Sequence, residues 1–169
     1  LIVNAQDNEN LKSIEELRKK YEILWKYLEM QVAMRVSLIE AIEKIMGVTE
    51  SKGLIRLALR RYLERVFKKN PALLKIRTLE EILTVNIKLG QYLLGIRSEL
   101  KIHSPQHYTV IRYDCPHLAY VKDQPLFCIP CALEPEVAAE LLLKTDAKTE
   151  LKKTLARGDP YCEFTITLK

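Results

Sequence analysis

Three observations predict an α+β fold in which an N-terminal layer of about three helices packs on a small antiparallel sheet with a short helix. Apolar residues recur at helical spacing up to about residue 100 and at two-residue spacing beyond it. Sharp turn signals crowd the last third of the chain, and all four cysteines lie there. The division expected is a disordered or tag-like tail over 1–12, a helical part over 13–100 and a cysteine-rich α+β part over 101–169. Together these form one compact domain, because 169 residues with 48% apolar content can bury a core without disulfides.

The helices have legible ends. Ser13-Ile14-Glu15-Glu16 fits a capping box, and the pattern then runs to Met46 with Gly47 placed to end it. Ile14, Leu17, Tyr21, Leu24 and Leu28 form a heptad seam that breaks at Gln31 and Arg35 and resumes at Leu38, Ile42 and Ile45. A helix of about 34 residues, roughly 50 Å, is longer than this core needs, so a homodimer through the first helix is expected. A second helix spans Ser51 to Lys69 with Leu54, Ala58, Leu59, Tyr62, Leu63 and Val66 inward, and stops at Asn70-Pro71. A third starts at Thr78, partnered by Glu81, and runs toward Gly95.

Beyond residue 100, His107 to Tyr113 is β-rich, and Thr149 to Ala156 with Tyr161 to Leu168 reads as a hairpin around Arg157-Gly158-Asp159-Pro160. The two-residue repeat puts Cys162, Phe164, Ile166 and Leu168 on the inner face. Between these strands a short helix opens at Glu134, with Pro135 at its first position, and runs through Leu143.

Cys115, Cys128, Cys131 and Cys162 are spaced C-x12-C-x2-C-x30-C, with His117 two residues past the first. They read as one site. Two thiolates from a tight turn and two delivered by distant chain segments can complete the tetrahedron that zinc accepts, with His117 the natural replacement for any one of them. Four thiolates also satisfy an iron–sulfur cluster. A third reading is redox chemistry, since Cys128-Ile129-Pro130-Cys131 has a C-x-P-C form in which a helix amino terminus lowers the first thiol's pKa. His103 and His107 carry no comparable signal.

Asp114-Cys115-Pro116-His117, Phe127-Cys128 and Lys153-Thr154-Leu155 leading through Gly158-Asp159-Pro160-Tyr161-Cys162-Glu163-Phe164 resemble the end of L-2-amino-thiazoline-4-carboxylic acid hydrolase-like proteins and the related 4-vinyl reductase domains. The resemblance implies a helical first part, an antiparallel sheet and a terminal cysteine brought beside earlier ones. Some 4-vinyl reductase domains of ligand-sensing regulators bind zinc through an acidic residue three positions before one cysteine and a second cysteine eight later. This chain lacks that arrangement, so metal and ligand set stay open.

Two function classes follow. As a binding module, the domain holds a small, largely apolar molecule between the helical part and the sheet and relays its presence to a partner. As a hydrolase, it needs an acid or base, for which His117, Asp114 and Glu134 are the candidates. Binding is favoured, because no second cluster of carboxylates or histidines is visible to move protons. The net charge of +5 lies wholly in residues 1–100, with 18 Lys and Arg against 13 Asp and Glu, while 101–169 carry nine of each. Lys52, Arg56, Arg60, Arg61, Arg65, Lys68 and Lys69 face only Glu64 in the second helix, a stripe that can meet nucleic acid but reads first as a solvated face. No apolar run reaches membrane-span length and no secretory signal core is present, so a cytoplasmic protein with reduced thiols is expected.

Overall fold

The structure, a computed structural model, describes residues 16, 19, 21–122 and 124–169. The expected tail, the capping residue Ser13 and the seam positions Ile14 and Leu17 lie outside the described residues, as do the side chains of Leu24 and Leu28.

Helix α1, Glu22–Met46, stops at Gly47, whose φ of 81° and ψ of 170° are open to glycine and strained for any L side chain. The chain turns on this one residue. Helix α2, Val48–Lys69, follows directly, ahead of the Ser51 start expected from the apolar pattern. Ser51 is fully buried, and its hydroxyl donates to the Gly47 carbonyl at 2.5 Å, so a polar residue inside the first turn braces the hinge. Helix α3, Leu79–Leu94, begins where the sequence places it. The Thr78 hydroxyl accepts from the Glu81 amide and the Glu81 carboxylate accepts from the Thr78 amide, both at 3.2 Å, and Gly95 closes the helix at φ 67°.

Four strands follow: β1 Ser98–Ser104, β2 His107–Arg112, β3 Ala147–Lys153 and β4 Cys162–Leu168. They form one antiparallel sheet in the order β1-β2-β4-β3, which confirms the α+β class. Strand β1 was not anticipated from the sequence, because at this edge of the sheet Lys, His and Ser stand beside an exposed Ile102 and the apolar alternation is weak. Strand β3 ends before Thr154, whose hydroxyl instead accepts from the Arg157 amide at 3.1 Å and starts a short 3-10 turn.

Between β2 and β3 lie the short helix α4, Leu118–Val121, and helix α5, Ile129–Leu142. The expected start of α5 at Glu134 is corrected. Pro130 holds the first-turn position, and Pro135 stands inside the helix, where its missing amide leaves the carbonyl of Cys131 without the usual partner four residues on.

Two cores result. In the larger, Tyr108 paired with Ile166 and Val110 paired with Phe164 pack under Leu63 and Phe67 of α2, Leu79, Ile82 and Leu83 of α3, and Val137 and Ala139 of α5. The inner face of β4 is therefore the one read from its two-residue repeat. In the smaller, Val32 and Val36 of α1 meet Val121 and Ala156, with Cys115, Phe127 and Cys128 packed against them. Helix α1 thus rests on the cysteine region. Among the described residues no helix is long and apolar enough to cross a membrane.

Candidate functional site

The cysteines come from four local settings. Cys115 follows Asp114 in the loop after β2, Cys128 caps α5, Cys131 lies in its first turn, and Cys162 opens β4 directly opposite Arg112 of β2. Burial pushes Cys115 up to about 11 despite the His117 amide, with Cys131 and Cys162 adding to the rise. It pushes Cys128 up to about 12, and Cys131, Cys162 and Cys115 again raise it. Cys115 therefore feels two of the other cysteines and Cys128 all three. Both stay protonated at neutral pH, which opposes the activated C-x-P-C nucleophile expected at a helix amino terminus. The Cys162 sulfur accepts from the Leu155 amide at 3.3 Å. Cys131 is exposed as a residue, while burial of its thiol raises its pKa.

The metal expectation meets a geometric test here. Among the described residues no three His, Cys, Asp or Glu side chains stand close enough together to hold an ion. The four thiols share a region without forming a ready tetrahedron for zinc or a cluster.

The three acid–base candidates have separate environments. Asp114 is clamped by Arg97, whose Nε and Nη2 donate to Oδ2 and Oδ1 at 2.7 and 2.8 Å and whose amide donates at 3.1 Å. These bonds hold its carboxyl below the usual range. His117 sets its ring edge-on to Phe127 at 6.4 Å. Glu134 is pushed up by burial, while Arg112 and a hydrogen bond with Asn86 pull it down. His103 and His107 stack at 4.7 Å on the β1–β2 hairpin.

Glu134 leads to the feature the sequence did not reveal. A cavity of about 120 Å³ lies between α2, α3 and α5, walled by residues such as Leu63, Phe67, Ile82, Val85 and Ala138, with Asn86 and Glu134 as its inner polar groups and Tyr62 at its rim. Arg112 Nη2 donates to Asn86 Oδ1 at 2.5 Å. The same guanidinium lies 5.4 Å from the centre of the Phe164 ring, and its charge lowers the pKa of both Glu134 and Cys131. Arg112 therefore joins the cavity wall to the cysteines. Its one sequence signal was position: with Tyr108 and Val110 it continues the inward repeat of β2. A larger cleft of about 550 Å³ separates α1 from Pro116 and His117, but Lys26, Glu29 and Arg35 line it.

Part of the basic stripe of α2 is neutralised from within. Arg56 binds Glu136 and Glu140 of α5, and Arg60 reaches Glu140 and Glu64 at 3.4 Å. Lys52, Arg61, Arg65, Lys68 and Lys69 remain exposed.

Comparison with known proteins adds three findings. The family model described as methanogen output domain 1 matches residues 35–167. The fold is similar to the phenol-responsive sensory domain of the transcription activator PoxR with phenol, at TM-score 0.60 and 12% identity over 81% of this chain and 74% of that one. It is similar to a trafficking protein particle complex subunit 3 from Naegleria fowleri covalently bound to palmitic acid, at 0.58 and 16% over 85% and 96%. It is also similar to an Fe(II) unliganded H-NOX protein from K. algicida, at 0.56 and 10% over 95% of both chains. No curated protein matches the chain.

Proposed function

The chain belongs to the methanogen output domain 1 family, and from that premise we propose that it is a sensor domain of the 4-vinyl reductase type, binding a small, largely apolar molecule. The cavity between α2, α3 and α5 takes the guest, and Arg112 carries its presence to the cysteine region. One observation carries the reading: an apolar cavity whose polar lining groups, Asn86 and Glu134, both interact with the arginine whose charge acts on Cys131. About 120 Å³ suits one small ring, since an apolar cavity of about 150 Å³ binds benzene. Asn86 and Glu134 offer a hydroxyl-bearing guest hydrogen bonds that fix its orientation, the division of labour usual in small-molecule sites. The sensory domain of PoxR with phenol supports the reading through its fold.

Thermal melting with phenol and with toluene tests it. Both raise the melting temperature, phenol more, and Val85→Phe, which fills the cavity, abolishes the rise while Val85→Ala keeps it. Melting that neither compound shifts, or a shift that survives Val85→Phe, contradicts the reading.

The four thiols motivate a second, separate proposal, in which they take up zinc or an iron–sulfur cluster. Cys115 feels the charge of Cys131 and Cys162, Cys128 that of all three other cysteines, and an ion relieves that repulsion as it displaces the thiol protons. Side chains must rotate to complete such a site, because no three ligands are gathered among the described residues. Elemental analysis decides: about one zinc per chain supports it, iron with labile sulfide transfers it to a cluster, and metal-free folded protein removes it.

A further inference from the structure

Helix α1 buries Val32 and Val36, each 7% exposed, against the cysteine region. Its opposite face is also apolar. Ile23, Tyr27, Met30, Met34, Leu38, Ala41 and Ile45 are all exposed, from 53% at Tyr27 to 87% at Ile23 among the large ones. At 100° per residue these side chains fall within about 40° of Met34, while Val32 and Val36 lie about 160° away from it. Among the described residues nothing else covers this face. It also differs from the seam read from the sequence, which used Leu24 and Leu28.

The steps along the face are four, three, four, four, three and four. They make two consecutive 11-residue repeats, a period of about 3.67 residues per turn, so the stripe stays almost parallel to the helix axis over six turns. They also read the same from either end, with Met34 at the centre. Any straight stripe on an α-helix has such steps; what suits an antiparallel second copy is that the apolar residues extend equally far on both sides of Met34, with small Ala41 opposite large Tyr27. With a two-fold axis beside Met34, Ile23 faces Ile45 of the other copy, Tyr27 faces the small Ala41, Met30 faces Leu38, and Met34 meets itself. Such a patch is self-complementary, as a two-fold interface requires. Over about 33 Å of helix it offers on the order of 700 Å² per copy, near the ~800 Å² per partner of stable complexes and above the ~300–600 Å² patches of ordinary monomers.

We propose that the protein is a homodimer in which α1 pairs antiparallel with α1 of a second copy about an axis at Met34. The inference is independent of the ligand pocket, which α1 does not line. Sedimentation equilibrium of the full chain tests it. The expected result is a species of twice 19.6 kDa. Met34→Glu sets two like charges together at the axis and weakens the dimer at least a hundredfold, with unchanged thermal melting of the monomer because the position is exposed. Ile23→Lys alone and Ile45→Glu alone each weaken it at least tenfold, and the double variant recovers most of the loss, since the antiparallel register sets the two substitutions opposite one another. A monomeric wild-type chain at 1 mM, or a dimer indifferent to Met34→Glu, overturns the proposal. Failure of the double variant to recover overturns the antiparallel register.

Discussion

Arg112 is the residue whose replacement most separates the site from the fold. Its stem packs near Phe164, and its guanidinium serves Asn86, Glu134 and Cys131 together. Arg112→Met keeps the apolar stem and removes the donors. Cys131 then loses the cation that lowers its pKa, so its alkylation at pH 8 is expected to slow about threefold or more, read by mass spectrometry of the labelled peptide. In the wild type Cys131, the exposed residue among the four cysteines, is expected to label before Cys115 and Cys128. The raised pKa values of those two also set a sign for stability. They stay protonated when unfolded thiols ionise near pH 8.5, so their contribution is fully present below that pH and is lost as pH rises through about 11 and about 12. Asp114 acts at the other end. Its lowered pKa gives a contribution present above its unfolded value near 4 and lost as pH falls further, and Asp114→Asn removes that part of the acid-unfolding profile. The inward aim of Cys162 was legible in the sequence because strand alternation is local. The role of Arg112 was not, since it depends on the register that sets Arg112 opposite Cys162 and on Asn86 from a helix 26 residues earlier.

At the scale of elements, local signals are legible in the sequence and non-local ones are not. Thr78 with Glu81 marked α3 and Gly47 marked the end of α1, because caps and left-handed residues follow from a few neighbouring side chains. Helix α5 was misplaced because Pro130 and Pro135 both suit a first turn, and only packing tells which one opens the helix. Two substitutions test what holds the elements together. Gly47→Ala forces a side chain into φ 81° and is expected to cost about 1–3 kcal/mol in urea unfolding. Glu136 is 8% exposed, binds Arg56 of α2 and accepts from the Thr149 amide of β3 at 2.6 Å. Glu136→Ala leaves the Thr149 amide without its acceptor and Arg56 with Glu140 alone at the junction of α2, α5 and β3, and a loss of about 2 kcal/mol is expected in the same measurement.

At the scale of the molecule, periodicity sufficed for the fold class: a helical layer over an antiparallel sheet needs only the change of spacing near residue 100. The cavity needed more. The sequence places a guest between the helical part and the sheet; α2 and α3 of that part do line the cavity, but its third wall is α5, through Pro135, Ala138 and Leu142, and not the sheet. A shape left between three packed helices has no signature in any one of them. On the proposed reading a guest in this cavity is felt at the cysteines through Arg112. The alkylation rate of Cys131, followed by mass spectrometry while phenol is titrated, tests it most directly. A saturable change in rate that disappears in both Val85→Phe and Arg112→Met is the predicted result; a rate that phenol leaves unchanged, while melting shows that it binds, contradicts the claim.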